Sequence, residues 1–217
     1  MTILLAIVAI AAGFFFGSIP FGYLVGRFLF GIDIRTHGSG NIGAANALRT
    51  IGRTGAGLVL LCDLLKGLLP VLVARLLHAH PGVTAAVAAA AVSGHCFSPW
   101  LRFRGGKGVA TSLGSIIALS WAAGAICVAG WFVGAALTAF SSVGSILANA
   151  VAPFALWFVT HQPAYTAYGV FAAALVIYTH RENIARIRAG TENKLGLMRP
   201  WQRTRATKST MRIERGL

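Results

Sequence analysis

Three polar, glycine-rich segments carry most of the residues that could bind an anion. The first, residues 38–46, reads Gly-Ser-Gly-Asn-Ile-Gly-Ala-Ala-Asn and is followed by Arg49. Its glycines allow backbone N–H groups to converge on an anion without obstruction by side chains. Ser39, Asn41 and Asn46 add neutral donors, and Arg49 adds a guanidinium that suits a phosphate. The segment therefore predicts a phosphate-binding loop, with a flexible link between two helices as the alternative.

The second segment, residues 103–111, reads Phe-Arg-Gly-Gly-Lys-Gly-Val-Ala-Thr and leads directly into an apolar stretch. It is not a Walker P-loop. Leu101 replaces the first glycine of that motif, and Gly108 replaces the Ser or Thr that binds magnesium. A helix that begins here would offer free N–H groups and a partial positive charge beside Lys107. The segment predicts a phosphate site, and the alternative is a basic loop end without a ligand.

The third segment begins with His-Arg-Glu-Asn-Ile at 180–184 and continues to Gly-Thr-Glu-Asn-Lys at 190–194. His180 and Asn183 are three residues apart, so on a helix they share one face. His180 is the obvious candidate for a general base. The alternative for this segment is a basic helix at a membrane interface.

The sequence offers little with which to bind a metal ion. It contains five acidic residues, and its three cysteines all lie in apolar stretches without metal-ligand spacing. We therefore expect neither a metal nor a cofactor. Two charged residues, Asp63 and Lys66, lie inside an apolar stretch, where a charge is costly and often functional. Their separation of three residues favours pairing with each other over a direct chemical role.

Composition indicates the kind of scaffold that must position these segments. Hydrophobic residues make up 56% of the chain and charged residues 11%, and mean hydropathy is +0.72. Soluble domains carry about 25% charged residues, so the composition predicts an integral membrane protein. The net charge of +14 then favours anionic partners, namely lipid head groups or phosphorylated substrates, over nucleic acid.

The apolar stretches predict an all-α protein with seven transmembrane helices. They are residues 3–30, 54–77, 83–100, 109–140 as two spans broken near Ser120, 146–159 and 164–179. With the N-terminus outside, the predicted cytoplasmic loops are 27–53, 101–108, 141–145 and 180–217, and these contain 17 of the 19 Lys and Arg residues. This distribution agrees with the positive-inside rule and places all three segments on the cytoplasmic side. We expect one membrane domain over 1–199 and a basic cytoplasmic tail over 200–217.

Together, and in this order, the three segments closely resemble the bacterial acyl-phosphate:glycerol-3-phosphate acyltransferase family. The family pattern is a Gly-Ser-Gly-Asn-Ile-Gly-Ala-Thr-Asn loop with a later Arg, a Gly-Gly-Lys-Gly-Val-Ala-Thr loop, and a His-Arg-x-Asn-Ile segment with a later Gly-x-Glu-Asn-Lys. The resemblance covers nearly the whole chain and includes the seven spans. It implies transfer of a fatty acyl group from acyl phosphate to the 1-hydroxyl of glycerol 3-phosphate. The implied products are lysophosphatidate and inorganic phosphate.

The resemblance also implies roles for individual residues. Those implied to hold glycerol 3-phosphate and serve catalysis are Ser39, Arg49, Lys107, His180 and Asn183. Those implied to hold the acyl-phosphate head are Gly40, Asn41, Gly43 and Asn46, with Gly105, Gly106 and Ser145 as further contacts. The chain departs from the family pattern at Ala45, where Thr is usual, and at Ser98-Pro99, where Pro usually follows Phe97.

A site of glycines, amides, Arg and Lys suits this reaction, because acyl phosphate is already activated. The protein needs to neutralise two phosphates, place a hydroxyl near a carbonyl and exclude water. The proton acceptor is either His180 or a substrate phosphate oxygen, and no acyl-enzyme is expected. The alternative function is a membrane transporter of a phosphorylated anion. We expect the protein in the bacterial cytoplasmic (inner) membrane; its oligomeric state is open and compatible with a monomer.

Overall fold

The computed structural model describes residues 2–195, and all regular secondary structure in that range is helical. The α-helices are α1 (Ile3–Gly17), α2 (Phe21–Leu24), α3 (Ala44–Thr50), α4 (Gly52–Leu76), α5 (Pro81–Cys96), α6 (Val109–Leu119), α7 (Trp121–Thr138), α8 (Ser141–Ala150), α9 (Ala152–Thr160), α10 (Pro163–Thr179) and α11 (Arg181–Arg188). The predicted all-α class is confirmed, and the tail predicted over 200–217 lies outside the described residues.

Four helical runs within the described range are long and apolar enough to cross a membrane. They are Ile3–Leu29, Gly52–Leu76, Trp121–Thr138 and Ser141–Thr160. Two further apolar helices, α6 and α10, are shorter. The count of seven spans and their direction across the membrane stay predictions.

The first apolar run contains a break that the sequence analysis did not anticipate. Helix α1 ends at Gly17, and α2 begins only at Phe21, beyond Pro20, which has no N–H to donate. The Ser18 carbonyl accepts a hydrogen bond from Ser98 Oγ at 2.6 Å, and Trp100 Nε1 donates to Ser18 Oγ at 2.8 Å. Unpaired backbone groups are costly in lipid, so contacts from the segment after α5 stabilise this break.

The predicted break in the 109–140 stretch is confirmed. Helix α6 ends at Leu119, Ser120 is extended, and α7 begins at Trp121. The Ser120 hydroxyl accepts a hydrogen bond from the Ala123 amide at 3.3 Å, as an N-cap residue does. Helix α6 has 11 residues and is therefore about 16 Å long.

The prediction that residues 141–145 form a loop is wrong, because they are the first turns of α8. Serine is compatible with this helix because its hydroxyl can donate to a carbonyl one turn earlier. Ser145 Oγ donates in this way to the Ser141 carbonyl at 2.8 Å. Gly144 packs directly against Gly134 of α7, so a small polar stretch that suggested a turn is in fact a helix–helix contact.

Close helix packing at glycines fixes the arrangement of the central helices. A Cβ at Gly17 of α1 would overlap the Ala91 carbonyl of α5, and one at Gly94 of α5 would overlap the Phe14 carbonyl of α1. Helix α4 approaches α6 in the same way at Gly67. Membrane helices associate through small residues of this kind. Helix α5 is therefore held firmly against α1, and the segments at their ends have fixed positions.

Candidate active site

The first polar segment is a loop built around the buried side chain of Asn46. Its Oδ1 accepts a hydrogen bond from the Ser39 amide at 2.8 Å. Its Nδ2 donates to the carbonyls of Ile34 at 2.8 Å and His37 at 3.1 Å. Both amide hydrogens are therefore used inside the loop. Asn46 fixes the loop's shape, which revises the expectation that its side chain faces a substrate.

Asn41 is placed differently. Its Oδ1 accepts a hydrogen bond from the Gly43 amide at 2.9 Å, which closes a tight turn before α3. Within the described residues its Nδ2 donates to no protein group. Ser39 and Gly40 are exposed beside it, and Gly40 has a φ of +69° that favours glycine. The loop therefore presents Ser39, Gly40 and the Asn41 amide outward, whereas Gly43 and Asn46 serve its internal structure.

Gly105 and Gly106 close the end of α5. The Gly105 amide donates to the Cys96 carbonyl and the Gly106 amide to the His95 carbonyl, each at 3.0 Å. Both amides already have a partner, so the predicted contact of these glycines with the acyl-phosphate head, which stays a prediction, would not use these N–H groups. A Cβ at Gly105 would overlap the α5 backbone, and one at Gly106 would overlap the His95 ring. Glycine is needed at both positions for packing.

Lys107 follows directly and stands at the start of α6. Its carbonyl accepts a hydrogen bond from Thr179 Oγ1 at 3.0 Å, and its Nζ donates to Asn183 Oδ1. Burial lowers the pKa of Lys107 to about 8, and the positive charges of Arg186 and Arg49 act in the same direction. At neutral pH the ammonium is therefore mostly charged and lies close to the third segment.

His180 occupies the junction between α10 and α11. Its Nδ1 lies 2.8 Å from the Val176 carbonyl, which can only accept, so Nδ1 carries the hydrogen of the neutral ring. Burial lowers the pKa of His180 to about 4, and the charge of Lys107 contributes. The ring is therefore neutral at pH 7, with Nε2 as a hydrogen-bond acceptor.

Glu192 connects the remaining groups, and the sequence analysis gave it no role. Its Oε1 accepts from Asn183 Nδ2 at 2.5 Å and from Ser142 Oγ at 3.0 Å, and its Oε2 accepts from Arg186 Nε at 2.7 Å. Burial acts to raise its pKa, but these hydrogen bonds outweigh burial and hold the pKa below its usual range. By accepting from Nδ2, Glu192 turns Asn183 Oδ1 toward Lys107. The sequence contains five acidic residues, and this scarcity was the signal that could have pointed to a role for Glu192.

Direct hydrogen bonds thus join the second and third segments at Lys107 and Asn183, with His180 at the same helix junction. Among the described residues, no hydrogen bond or ion pair joins the first segment to the other two, and the charge of Arg49 is the smallest of the influences on the pKa of Lys107. Ser145 lies three residues after Ser142 on α8, and its hydroxyl donates a hydrogen bond within that helix. Within residues 2–195, no three His, Cys, Asp or Glu side chains are grouped as metal ligands.

Comparison with known proteins shows the family of the chain. The family model for glycerol-3-phosphate acyltransferase matches residues 7–190. A glycerol-3-phosphate acyltransferase of Rubrobacter xylanophilus is 46% identical over 193 residues, which are 89% of this chain and 96% of that protein. One from Trichlorobacter lovleyi is 49% identical over 186 residues, covering 85% of this chain and 95% of that protein.

Solved structures support the same conclusion. The crystal structure of PlsY, an integral membrane glycerol 3-phosphate acyltransferase, in its glycerol 3-phosphate form has a TM-score of 0.84 and 34% identity, covering 88% of this chain and 96% of that chain. Its lysophosphatidic acid form has a TM-score of 0.82 and 33% identity, covering 88% and 95%. These relatives are enzymes, so the transporter alternative finds no support among them. The chain belongs to the glycerol-3-phosphate acyltransferase family and is a multi-pass integral membrane enzyme.

Proposed function

We propose that this enzyme transfers a fatty acyl group from acyl phosphate to the 1-hydroxyl of sn-glycerol 3-phosphate, giving lysophosphatidate and inorganic phosphate. The observation that carries the proposal is the hydrogen-bonded junction of Lys107 and Asn183 beside a neutral His180. This junction offers one cation and neutral polar groups, as a phosphorylated polyol requires. The PlsY crystal forms, described as glycerol 3-phosphate and lysophosphatidic acid forms, support the same acceptor and product.

The phosphate of the acceptor is bound by Lys107, Arg49 and Ser39 in this proposal. Binding a phosphate dianion favours the charged form of a lysine whose pKa is about 8. Asn183 and His180 orient the glycerol hydroxyls. The Nε2 of His180 accepts a hydrogen bond from one hydroxyl, because Nδ1 is committed to Val176.

The acyl-phosphate head is held by Gly40 and the Asn41 amide, two of the outward groups of the first loop, next to Ser39 on the acceptor phosphate. Gly43, Asn46, Gly105 and Gly106 support the loops from behind. Ser145 stays a candidate contact from α8.

The acyl transfer is direct in this proposal, without an acyl-enzyme. The hydroxyl oxygen forms a bond to the acyl carbon, the bond from that carbon to the phosphate oxygen breaks, and inorganic phosphate leaves. A His180 pKa of about 4 makes its ring a weaker base than a substrate phosphate, whose second pKa is about 6. We therefore assign the hydroxyl proton to a phosphate oxygen and give His180 a binding role.

The protein crosses the bacterial cytoplasmic membrane seven times in this proposal, with its N-terminus outside and the active site facing the cytoplasm. Support comes from the 17 of 19 basic residues that this topology places inside. A monomer contains all of the groups named above.

The test uses purified protein, acyl phosphate and glycerol 3-phosphate in the presence of a metal chelator. Equal amounts of phosphate and lysophosphatidate should appear. A control without glycerol 3-phosphate should release little phosphate, which separates transfer from hydrolysis. Turnover with an acyl thioester but not with acyl phosphate would overturn the proposed donor.

A further inference from the structure

A buried ion pair lies outside the candidate site and connects to both of its substrate loops. Lys66 Nζ is 2.9 Å from Asp63 Oδ1, and the two residues are 1% and 2% exposed. The pairing expected from their spacing on α4 is confirmed. A buried ion pair is weak evidence for stability, because apolar residues of similar size often serve as well. The charges therefore invite a different explanation.

Lys66 completes the break in the first apolar run. Its Nζ donates to the Ile19 carbonyl at 2.8 Å and lies 5.7 Å from the centre of the Phe21 ring. That carbonyl is in the break between α1 and α2. An apolar side chain at position 66 would leave it without this donor. The Phe21 amide also donates to this carbonyl, at 3.0 Å, so Lys66 supplies the second of its two hydrogen bonds and ties the start of α2 to α4.

Helix α2 in turn supports the first substrate loop. Gly22 of α2 lies so close to Ile42 that a Cβ would overlap the Ile42 carbonyl oxygen. Ile42 is buried between Asn41 and Gly43, the two residues of the tight turn. Any shift of α2 would therefore be passed to the loop that presents Ser39, Gly40 and the Asn41 amide.

Asp63 faces the second substrate loop through His95. His95 Nδ1 is 3.6 Å from Asp63 Oδ1, and the His95 ring is buried beneath Gly106. The His95 carbonyl accepts from the Gly106 amide, and Lys107 is the next residue. The 3.6 Å separation is too long for a hydrogen bond, so Asp63 acts on the His95 ring through its charge and by packing, and the ring in turn packs against the turn that precedes Lys107.

We propose that Asp63 and Lys66 are positioning residues that hold the two substrate loops in register, Lys66 through the Ile19 carbonyl and Asp63 through the His95 ring. The pair touches no substrate. It acts as a rigid link between α2 and the Gly105–Gly106 turn, so the outward groups of the first loop stay aligned with Lys107.

The main test replaces the pair by apolar residues, Asp63→Leu with Lys66→Met, so that no unpaired charge remains in the membrane. We expect the thermal unfolding midpoint in detergent to stay near that of the unaltered protein. We expect kcat/KM for glycerol 3-phosphate to fall about tenfold to a hundredfold, since a misplacement of about 1 Å can have that effect. The matched control is Arg75→Met on the same helix. Arg75 also donates to backbone carbonyls, those of Ala118 and Leu119, but away from both loops.

A distance measurement supplies a readout that does not depend on turnover. Spin labels at exposed positions Leu48, just after the first loop, and Arg104, in the second, report the separation of the loops. We expect a narrow distance distribution in the unaltered protein and in Arg75→Met, and a broadened or shifted one in the apolar-pair variant. The kinetic readout rests on the proposed function. If acyl phosphate were not the donor, the distances would still test the link.

Unaltered kcat/KM and an unaltered distance distribution in the apolar-pair variant would overturn the proposal. A fall in activity that merely follows a fall in the unfolding midpoint would also overturn it, because that indicates general stability. If the apolar pair does not fold, Asp63→Asn with Lys66→Met leaves no charge, keeps an amide beside His95 and removes the donor to the Ile19 carbonyl, so it should also lose activity and broaden the distance distribution. Failure of both pairs to fold while Arg75→Met folds would assign the pair to assembly and reject the positioning role.

Discussion

Lys107 offers the sharpest test of the candidate site. The change Lys107→Ala removes the ammonium that donates to Asn183 and that we assign to the acceptor phosphate. A charge-assisted hydrogen bond of this kind contributes about 1.5–3 kcal/mol, so activity should fall roughly tenfold to more than a hundredfold. The residue is half-buried beside Gly106 and Gly108, and it belongs to neither hydrophobic core cluster. Insertion and folding should therefore survive.

The assay is phosphate release in detergent, measured as kcat/KM for glycerol 3-phosphate. Arg104→Ala is the matched control, because Arg104 is an exposed cation in the same loop. That control should retain nearly full activity. Lys107→Arg should recover only part of the loss, because the planar guanidinium needs more room than an ammonium in a seat beside Gly106 and Gly108.

The contrary result is equally clear. If the positive charge of the loop served only to orient the protein in the membrane, Lys107→Ala and Arg104→Ala would lose the same small amount of activity. Near-normal kinetics in Lys107→Ala, with correct folding, would remove the central residue from the proposed phosphate site.

Further predictions address pH, metal, Glu192 and topology. Because the Lys107 pKa is about 8 in the free enzyme, kcat/KM should fall as pH rises through about 8, and Lys107→Arg should move that limb to higher pH. Turnover should be unchanged in EDTA, and a loss restored by magnesium would contradict the metal-free mechanism. Glu192→Gln should destabilise the protein by about 1.5–3 kcal/mol in thermal or denaturant unfolding, since it weakens the charge-assisted hydrogen bond from Arg186 Nε. A cysteine at exposed Gly190 should be labelled only from the cytoplasmic side and one at Gln162 only from outside; the reverse pattern would refute the topology.

The chemistry of the site was visible in the sequence where it depends on local spacing. The sequence indicated Lys107 before a helix start and His180 with Asn183 three residues on, and the structure brings Lys107 to Asn183 with His180 at the same helix junction; their roles stay predictions. Neither Asn46 nor Gly106 could be assigned in that way. Their partners are carbonyls whose positions depend on the fold, at Ile34 for Asn46 and at His95 for Gly106.

The fold, like the site, could be predicted where local signals sufficed but not where distant contacts decide the structure. The break at Ser120 was anticipated because a single helix of 32 uncharged residues would be longer than a bilayer is thick. The break after Gly17 was missed, although Pro20 is a local signal, because its stability comes from distant residues. Residues 141–145 were misread as a loop because serine and glycine suit both a turn and a close helix contact, and only the packing against α7 distinguishes the two.

The hydrogen bond between Lys107 and Asn183 has a consequence for the synthesis of the protein on the ribosome. The two residues are 76 positions apart, and Glu192, which orients Asn183, comes nine positions later still. At a synthesis rate of about 5–20 residues per second, the ribosome needs roughly 4–15 s to pass from the lysine to the asparagine. During that interval the early helices can enter the bilayer, but Asn183, the hydrogen-bond partner of Lys107, has not yet been synthesised. A chain that stops before α11 is therefore a membrane protein without the bond between Lys107 and Asn183. If these residues bind substrate as proposed, the site is complete only when nearly the whole described chain has been made.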